Sequence, residues 1–176
     1  MTRSLLRSIA LLLLAAPAFA QPAPHAHVHG RVELGIAVDG PAITLEMNTP
    51  LDNLLGFERA PRTDVEKNAV EQMVARLRAA DHLFGIDPAA ACKLGPVQLE
   101  SAALGLGQAT PGKDGHADLA ARFAFNCSSA AKAQFIDTEL FEAFPGVRQI
   151  EAEITAPQGP FKRSLKRPAR RIGWGS

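Results

Sequence analysis

The chain has 176 residues, 47% of them hydrophobic, and its 19 basic and 18 acidic side chains leave a formal charge of +1. That length suits one domain with its own core, and the charge is unevenly distributed, since without Arg3 and Arg7 the remainder carries 17 basic against 18 acidic residues. Beyond the first twenty residues no stretch is apolar enough to span a bilayer.

The opening MTRSLLRSIALLLLAAPAFA carries Arg3 and Arg7, then an apolar run from Ile9 to Ala16, then Ala18-Phe19-Ala20 ahead of Gln21. This is the pattern of a secretory signal peptide (1–20) cleaved after Ala20. A membrane anchor would need roughly 18 unbroken apolar residues, and Pro17 interrupts the run. The sequence therefore predicts an exported, periplasmic protein that does not span the membrane once the signal is removed. Residues 21–30, rich in Pro, Ala and His, read as an extended arm, followed by a single domain over 31–176.

Within that domain, Val32, Leu34, Ile36 and Val38 alternate, and after Asp39-Gly40-Pro41 the alternation resumes with Ile43, Leu45 and Met47, which predicts a β-hairpin. Thr49 to Phe57 is turn-rich yet apolar and reads as a packed connection. Thr63-Asp64-Val65-Glu66 forms a capping box, and Val70, Met73, Val74, Leu77 and Phe84 follow at helical spacing. They predict one long amphipathic helix from about Asp64 to about Leu83. A strand broken near Gly95-Pro96 spans Cys92 to Ala102. Leu104 to Gly115 reads as a mobile loop. A strand from His116 to Cys127 places Leu119, Ala121, Phe123 and Phe125 on one face and His116, Asp118, Arg122 and Asn126 on the other. A short helical segment over Ser129–Phe144 and a second hairpin (Val147–Thr155, Phe161–Leu165) complete an α+β fold. Its core is an antiparallel, sandwich-like β-sheet packed with the long helix.

After Glu153 six basic residues (Lys162, Arg163, Lys166, Arg167, Arg170, Arg171) occur without an acid. Alternating with Phe161 and Leu165, they read as the solvated face of a strand, with no nucleic-acid partner. Cys92 and Cys127 are the only cysteines. In an oxidising compartment an even count points to a disulfide, and the absence of a close C-x-x-C pair argues against cysteine ligation of a metal.

Three of the five histidines, His25, His27 and His29, fall within five residues as H-A-H-V-H. In an extended chain this period puts all three imidazoles on one side, where neutral nitrogen donors suit zinc or copper. The alternatives are a tag remnant, which the position between a signal cleavage site and the first strand disfavours, and a His-rich solvated loop. His116 and Asp118 share the polar face of their strand, as a ligand and its orienting carboxylate or as a surface hydrogen bond. His82 reads as a cation complementing the end of the long helix. Asp52 and Glu58 could pair as catalytic carboxylates, but Asp52-Asn53 reads as a turn cap and Glu58 as facing solvent or Arg59. No H-E-x-x-H, G-x-S-x-G or phosphate-cradling glycine loop occurs, so no enzymatic role is expected.

The ordered blocks His25 to Gly30, Thr-Pro-Leu-Asp-Asn-Leu-Leu-Gly-Phe-Glu (Thr49 to Glu58), Ala-Pro-Arg-Thr (Ala60 to Thr63), Leu-Glu-Ser (Leu99 to Ser101), His-x-Asp (His116 to Asp118) and Leu-Phe-x-x-Phe-Pro (Leu140 to Pro145) cover nearly all of the chain after the signal. On them the sequence resembles the family of small exported proteins that includes the ZrgA-like periplasmic zinc-binding proteins. The resemblance implies a zinc binder that captures the ion under zinc limitation and assists a zinc ABC importer or its periplasmic binding protein. It carries the ligand positions over to His25, His27, His29, His116 and Asp118. One departure stands out: many relatives hold a long His/Asp/Glu-rich stretch before the strand histidine, whereas Gly105 to Gly115 here contains no histidine and one acid, Asp114. Two other readings remain, an envelope interaction module using the helix stripe and Leu51 to Phe57, and a binder of copper or nickel.

Overall fold

The alternating segments become strands because each has one apolar face to bury. The computed structural model describes residues 28–108 and 117–175. The expected signal peptide, the arm as far as His27, and the part of the glycine-rich loop that ends at His116 lie outside the described residues.

In chain order the elements are β1 (Arg31–Asp39), β2 (Ala42–Pro50), the one-turn helix α1 (Asp52–Leu55), α2 (Asp64–Arg78), β3 (Phe84–Ile86), β4 (Cys92–Glu100), β5 (Asp118–Cys127), β6 (Phe135–Thr138), the one-turn helix α3 (Leu140–Ala143), β7 (Gln149–Ala156), β8 (Gly159–Lys166) and β9 (Arg171–Gly173). A six-stranded sheet has the order β4-β5-β2-β1-β7-β8, and a three-stranded sheet the order β3-β6-β9. Both predicted hairpins form: Asp39 pairs with Ala42 across Gly40-Pro41, and Ala156 pairs with Gly159. The irregularity expected at Gly95-Pro96 is a register shift between Leu94 and Val97.

Val32, Leu34, Ile36, Ile43, Leu45, Leu119, Phe123 and Ile150 all point into one buried cluster, which the smaller sheet closes with Phe84, Ile136 and Ile172. The Phe84 and Phe123 rings, one from each sheet, lie 5.2 Å apart at their centroids, tilted by 53°, within the favourable range for aromatic pairs. Cys92 and Cys127 face each other in register and form the expected disulfide.

Three expectations are corrected, and the fold is mostly β. The long amphipathic helix does not form as expected: α2 has 15 residues and buries only Met73 and Leu77. Its capping box is present, with Thr63 and Glu66 bonded reciprocally, but Ala79 ends it. A 3-10 turn (Ala80–His82) follows, and Phe84 leaves the helical stripe to pair in β3 with Thr138. The segment Ser129–Phe144 is not one helical stretch, because Phe135-Ile136-Asp137-Thr138, aromatic and β-branched, alternates in burial as β6. The large sheet is mixed rather than antiparallel, since β1 runs parallel to β7 from Arg31↔Gln149 to Ala37↔Thr155. Among the described residues no helix is long and apolar enough to cross a membrane.

Candidate metal centre

Val28 to Arg31 makes a turn in which the Arg31 N–H bonds the Val28 carbonyl at 3.0 Å. Gly30 occupies its third position with φ +83°, the conformation a type II turn demands there. A side chain at Gly30 would be strained by that φ and would crowd Arg148 Cδ at 3.0 Å. The Gly30 carbonyl accepts from the N–H groups of Arg148 (2.8 Å) and Gln149 (2.9 Å). His29 is thus lifted off the sheet by a turn whose backbone is tied to the start of β7.

From the other side the turn is held by Asn53, which is 3% exposed. Its Oδ1 accepts from Gly30 N–H at 2.5 Å, and its Nδ2 donates to the Arg31 carbonyl at 2.8 Å and to Thr49 Oγ1 at 2.9 Å. A Cβ on Gly146 would lie 2.5 Å from the Asn53 carbonyl oxygen, so glycine is what lets that chain approach α1. One residue before Asn53, Asp52 opens α1, and the helix closes on Gly56, whose N–H bonds the Asp52 carbonyl at 2.9 Å. The chain then doubles back and brings Glu58 beside Asp52.

The result is a cluster of three. The His29 Nδ1 is hydrogen-bonded to Asp52 Oδ2 and lies 3.9 Å from Glu58 Oε1. One donor atom from each residue falls within 4.8 Å of the others. The His29 side chain is 58% exposed, and those of Asp52 and Glu58 are 26% and 18%, so the carboxylates form the floor and the imidazole the lip. The hydrogen bond to Asp52 and its charge, then the charge of Glu58, hold the imidazole pKa above its ordinary value of 6.5, against desolvation and Arg148. The second oxygen of Asp52 is buried and has no hydrogen-bond partner among the described residues, an arrangement that costs free energy unless something else meets it.

These groups fit zinc chemistry. A tetrahedral zinc ion with bonds of about 2.0 Å holds its donors about 3.3 Å apart, so Glu58 would close on His29 from 3.9 Å and Asp52 would move back from its present hydrogen-bond contact with His29. One imidazole and two carboxylates are nitrogen and oxygen donors of the kind zinc accepts, and they lack the thiolate or thioether that favours Cu(I).

Of the sequence candidates, the described residues include His29 and Asp118, whereas His25, His27 and His116 lie outside them. Asp118 begins β5 opposite Pro50, and Leu51 N–H bonds the Ala117 carbonyl at 2.9 Å, so the His-x-Asp segment ends beside the residues that lead into Asp52. Asp118 itself is not in the three-residue cluster. The reading of Glu58 as facing solvent or Arg59 is corrected: it faces His29, and Arg59 pairs with Glu66. Asp52 and Glu58 were visible as a carboxylate pair, but their partner was not, because only the α1 turn folds Glu58 back toward the arm. The disulfide sits at the far end of β5 from Asp118, about 30 Å along the strand, and has no part in the cluster.

A family model described as ZrgA family zinc uptake protein matches residues 26–174. No curated protein matches the chain.

Proposed function

The chain belongs to the ZrgA family of zinc uptake proteins, and from that premise we propose that it is a periplasmic zinc-binding protein. In this reading it captures the ion under zinc limitation and passes it toward an ABC-type zinc importer or that importer's binding protein. The role is binding rather than catalysis. Zinc is its cargo, taken at a site that includes His29, Asp52 and Glu58, with His25, His27, His116 and Asp118 as the further donors drawn from the sequence.

The observation that carries the reading is the placement of two carboxylates under His29, within reach of a single ion, on a turn pinned by Asn53. The disulfide is consistent with an extracytoplasmic protein, and the opening pattern Arg3 to Ala20 supports export.

Calorimetric titration of the purified protein with zinc tests this, beside H29A and D52N. Removing a group that only orients a ligand costs about 10–100-fold in affinity, so loss of a donor itself should weaken binding by at least about tenfold in each. Equal binding in all three would remove the cluster from the site, and the envelope interaction module would become the better reading.

A further inference from the structure

The carboxylate of Glu58 sits on a loop between α1 and α2, and a loop carboxylate is an effective ligand only if its direction is fixed beforehand. The next residue supplies that fixation. Arg59 donates from Nη1 to Glu66 Oε2 at 2.9 Å and from Nη2 to Glu66 Oε1 at 2.6 Å, the two-pronged geometry that makes arginine–carboxylate pairs directional. Its guanidinium also lies over the Phe57 ring, 5.1 Å from the centroid. Glu66 is in turn immobilised, since Oε2 accepts from the N–H groups of Arg62 (2.6 Å) and Thr63 (3.3 Å) at the start of α2.

Phe57 and Arg59 are engaged with each other, and the carboxylate of Glu58 between them lies toward His29, 3.9 Å from its Nδ1. We infer that Arg59, anchored by Glu66, is a positioning residue for zinc binding that aims the Glu58 carboxylate at His29. This rests on the zinc-site reading above. It also makes α2 part of the metal centre through its capping box, although the helix supplies no donor to the cluster.

The sign of the effect separates this role from a purely electrostatic one. Removing a positive charge near a cation site strengthens cation binding, whereas removing a positioning group weakens it. The test is calorimetric titration with zinc of four proteins expressed from the full chain: unaltered, E58Q, R59M and E58Q/R59M. R59M keeps a long side chain over Phe57 and loses the two-pronged bond. It should bind zinc about tenfold more weakly, while in the E58Q background the same change should matter by less than about twofold, because the group being aimed is already gone.

Weakening in E58Q but not in R59M, tighter binding in R59M, or an equal loss with and without Glu58 would overturn the inference and leave the site reading standing. An E58Q protein that binds as the unaltered one does would overturn the part of the site reading on which the inference depends. Should R59M fail to fold, E66Q releases the same guanidinium from the other side, and the cycle with E58Q is read in the same way.

Discussion

Asn53→Ala is the substitution whose consequences follow most directly from the structure. The side chain is buried and makes three hydrogen bonds, to Gly30 N–H, the Arg31 carbonyl and Thr49 Oγ1. Alanine removes all three without supplying a substitute. Thr49 still reaches the Arg31 carbonyl at 3.3 Å, but the Gly30 N–H is left without its acceptor. At about 1 kcal/mol for each bond, the loss comes to about 3 kcal/mol. For a chain of this size that lowers the melting temperature by about 6–12 °C, measured by circular dichroism at pH 7 in the presence of a chelator. Zinc titration of the same variant should show weaker binding, because the turn that holds His29 over Asp52 has lost one of its two anchors. A melting temperature within about 2 °C of the unaltered protein would refute the claim that Asn53 is the clamp, whatever happened to zinc binding.

Two further outcomes follow from the charges and the disulfide. The folded-state pKa of His29 is raised by Asp52 and Glu58, so its ion pair stabilises the fold fully below pH 6.5, and that contribution is lost as pH rises through the raised value. Zinc must displace the His29 proton, so apparent zinc affinity should fall as pH drops below the raised pKa. D52N should move that midpoint down toward 6.5, and titrations in two buffers of different ionisation enthalpy would count the proton released; a midpoint unmoved by D52N would contradict the assignment. Glu66, held down to about 2 mainly by the hydrogen bond from Arg59, behaves oppositely. Its contribution is present above the unfolded carboxylate value of 4.5 and is lost as pH falls toward 2, so E66Q should flatten acid unfolding in that window. Breaking the Cys92–Cys127 bond, which closes a separation of 35 residues, should cost about 4 kcal/mol in the chain-entropy account. C92A/C127A melting curves would check this, and a loss below about 1 kcal/mol would contradict it.

The parts of the fold legible in the sequence are those encoded by local alternation. β1, β2, β5 and β7 each carry a period-two pattern over eight or more residues, β8 shows only Phe161 and Leu165 of one, and Gly95-Pro96 marks its own irregularity. β3, β6 and β9 are three or four residues long, too short for a period to declare itself, and β3 follows directly on a helical stripe that Phe84 seemed to extend. The parallel pairing of β1 with β7 joins residues more than a hundred positions apart, and no local signal specifies it. At the candidate site the H-A-H-V-H spacing drew attention to His29. For Asp52 the sequence suggests a turn cap, because a carboxylate beside an asparagine ordinarily caps a turn, and for Glu58 it suggests solvent or Arg59. Here Leu51 is the cap residue of α1 and Asn53 bonds the neighbouring strand, which frees Asp52 to face the imidazole.

The two ends of β5 are secured by different means. At Cys127 the strand is covalently sewn to β4. Toward Asp118 its named pairing is with β2, and the named pairing with β4 reaches as far as Ala120. Local opening of a folded protein follows its weakest seams and costs far less than global unfolding. Here the Asp118 end of β5 lies beside Leu51, whose N–H bonds the Ala117 carbonyl, and so beside Asp52. The covalent tie is therefore placed at the end of the strand away from the cluster, where it holds β5 in register with β4.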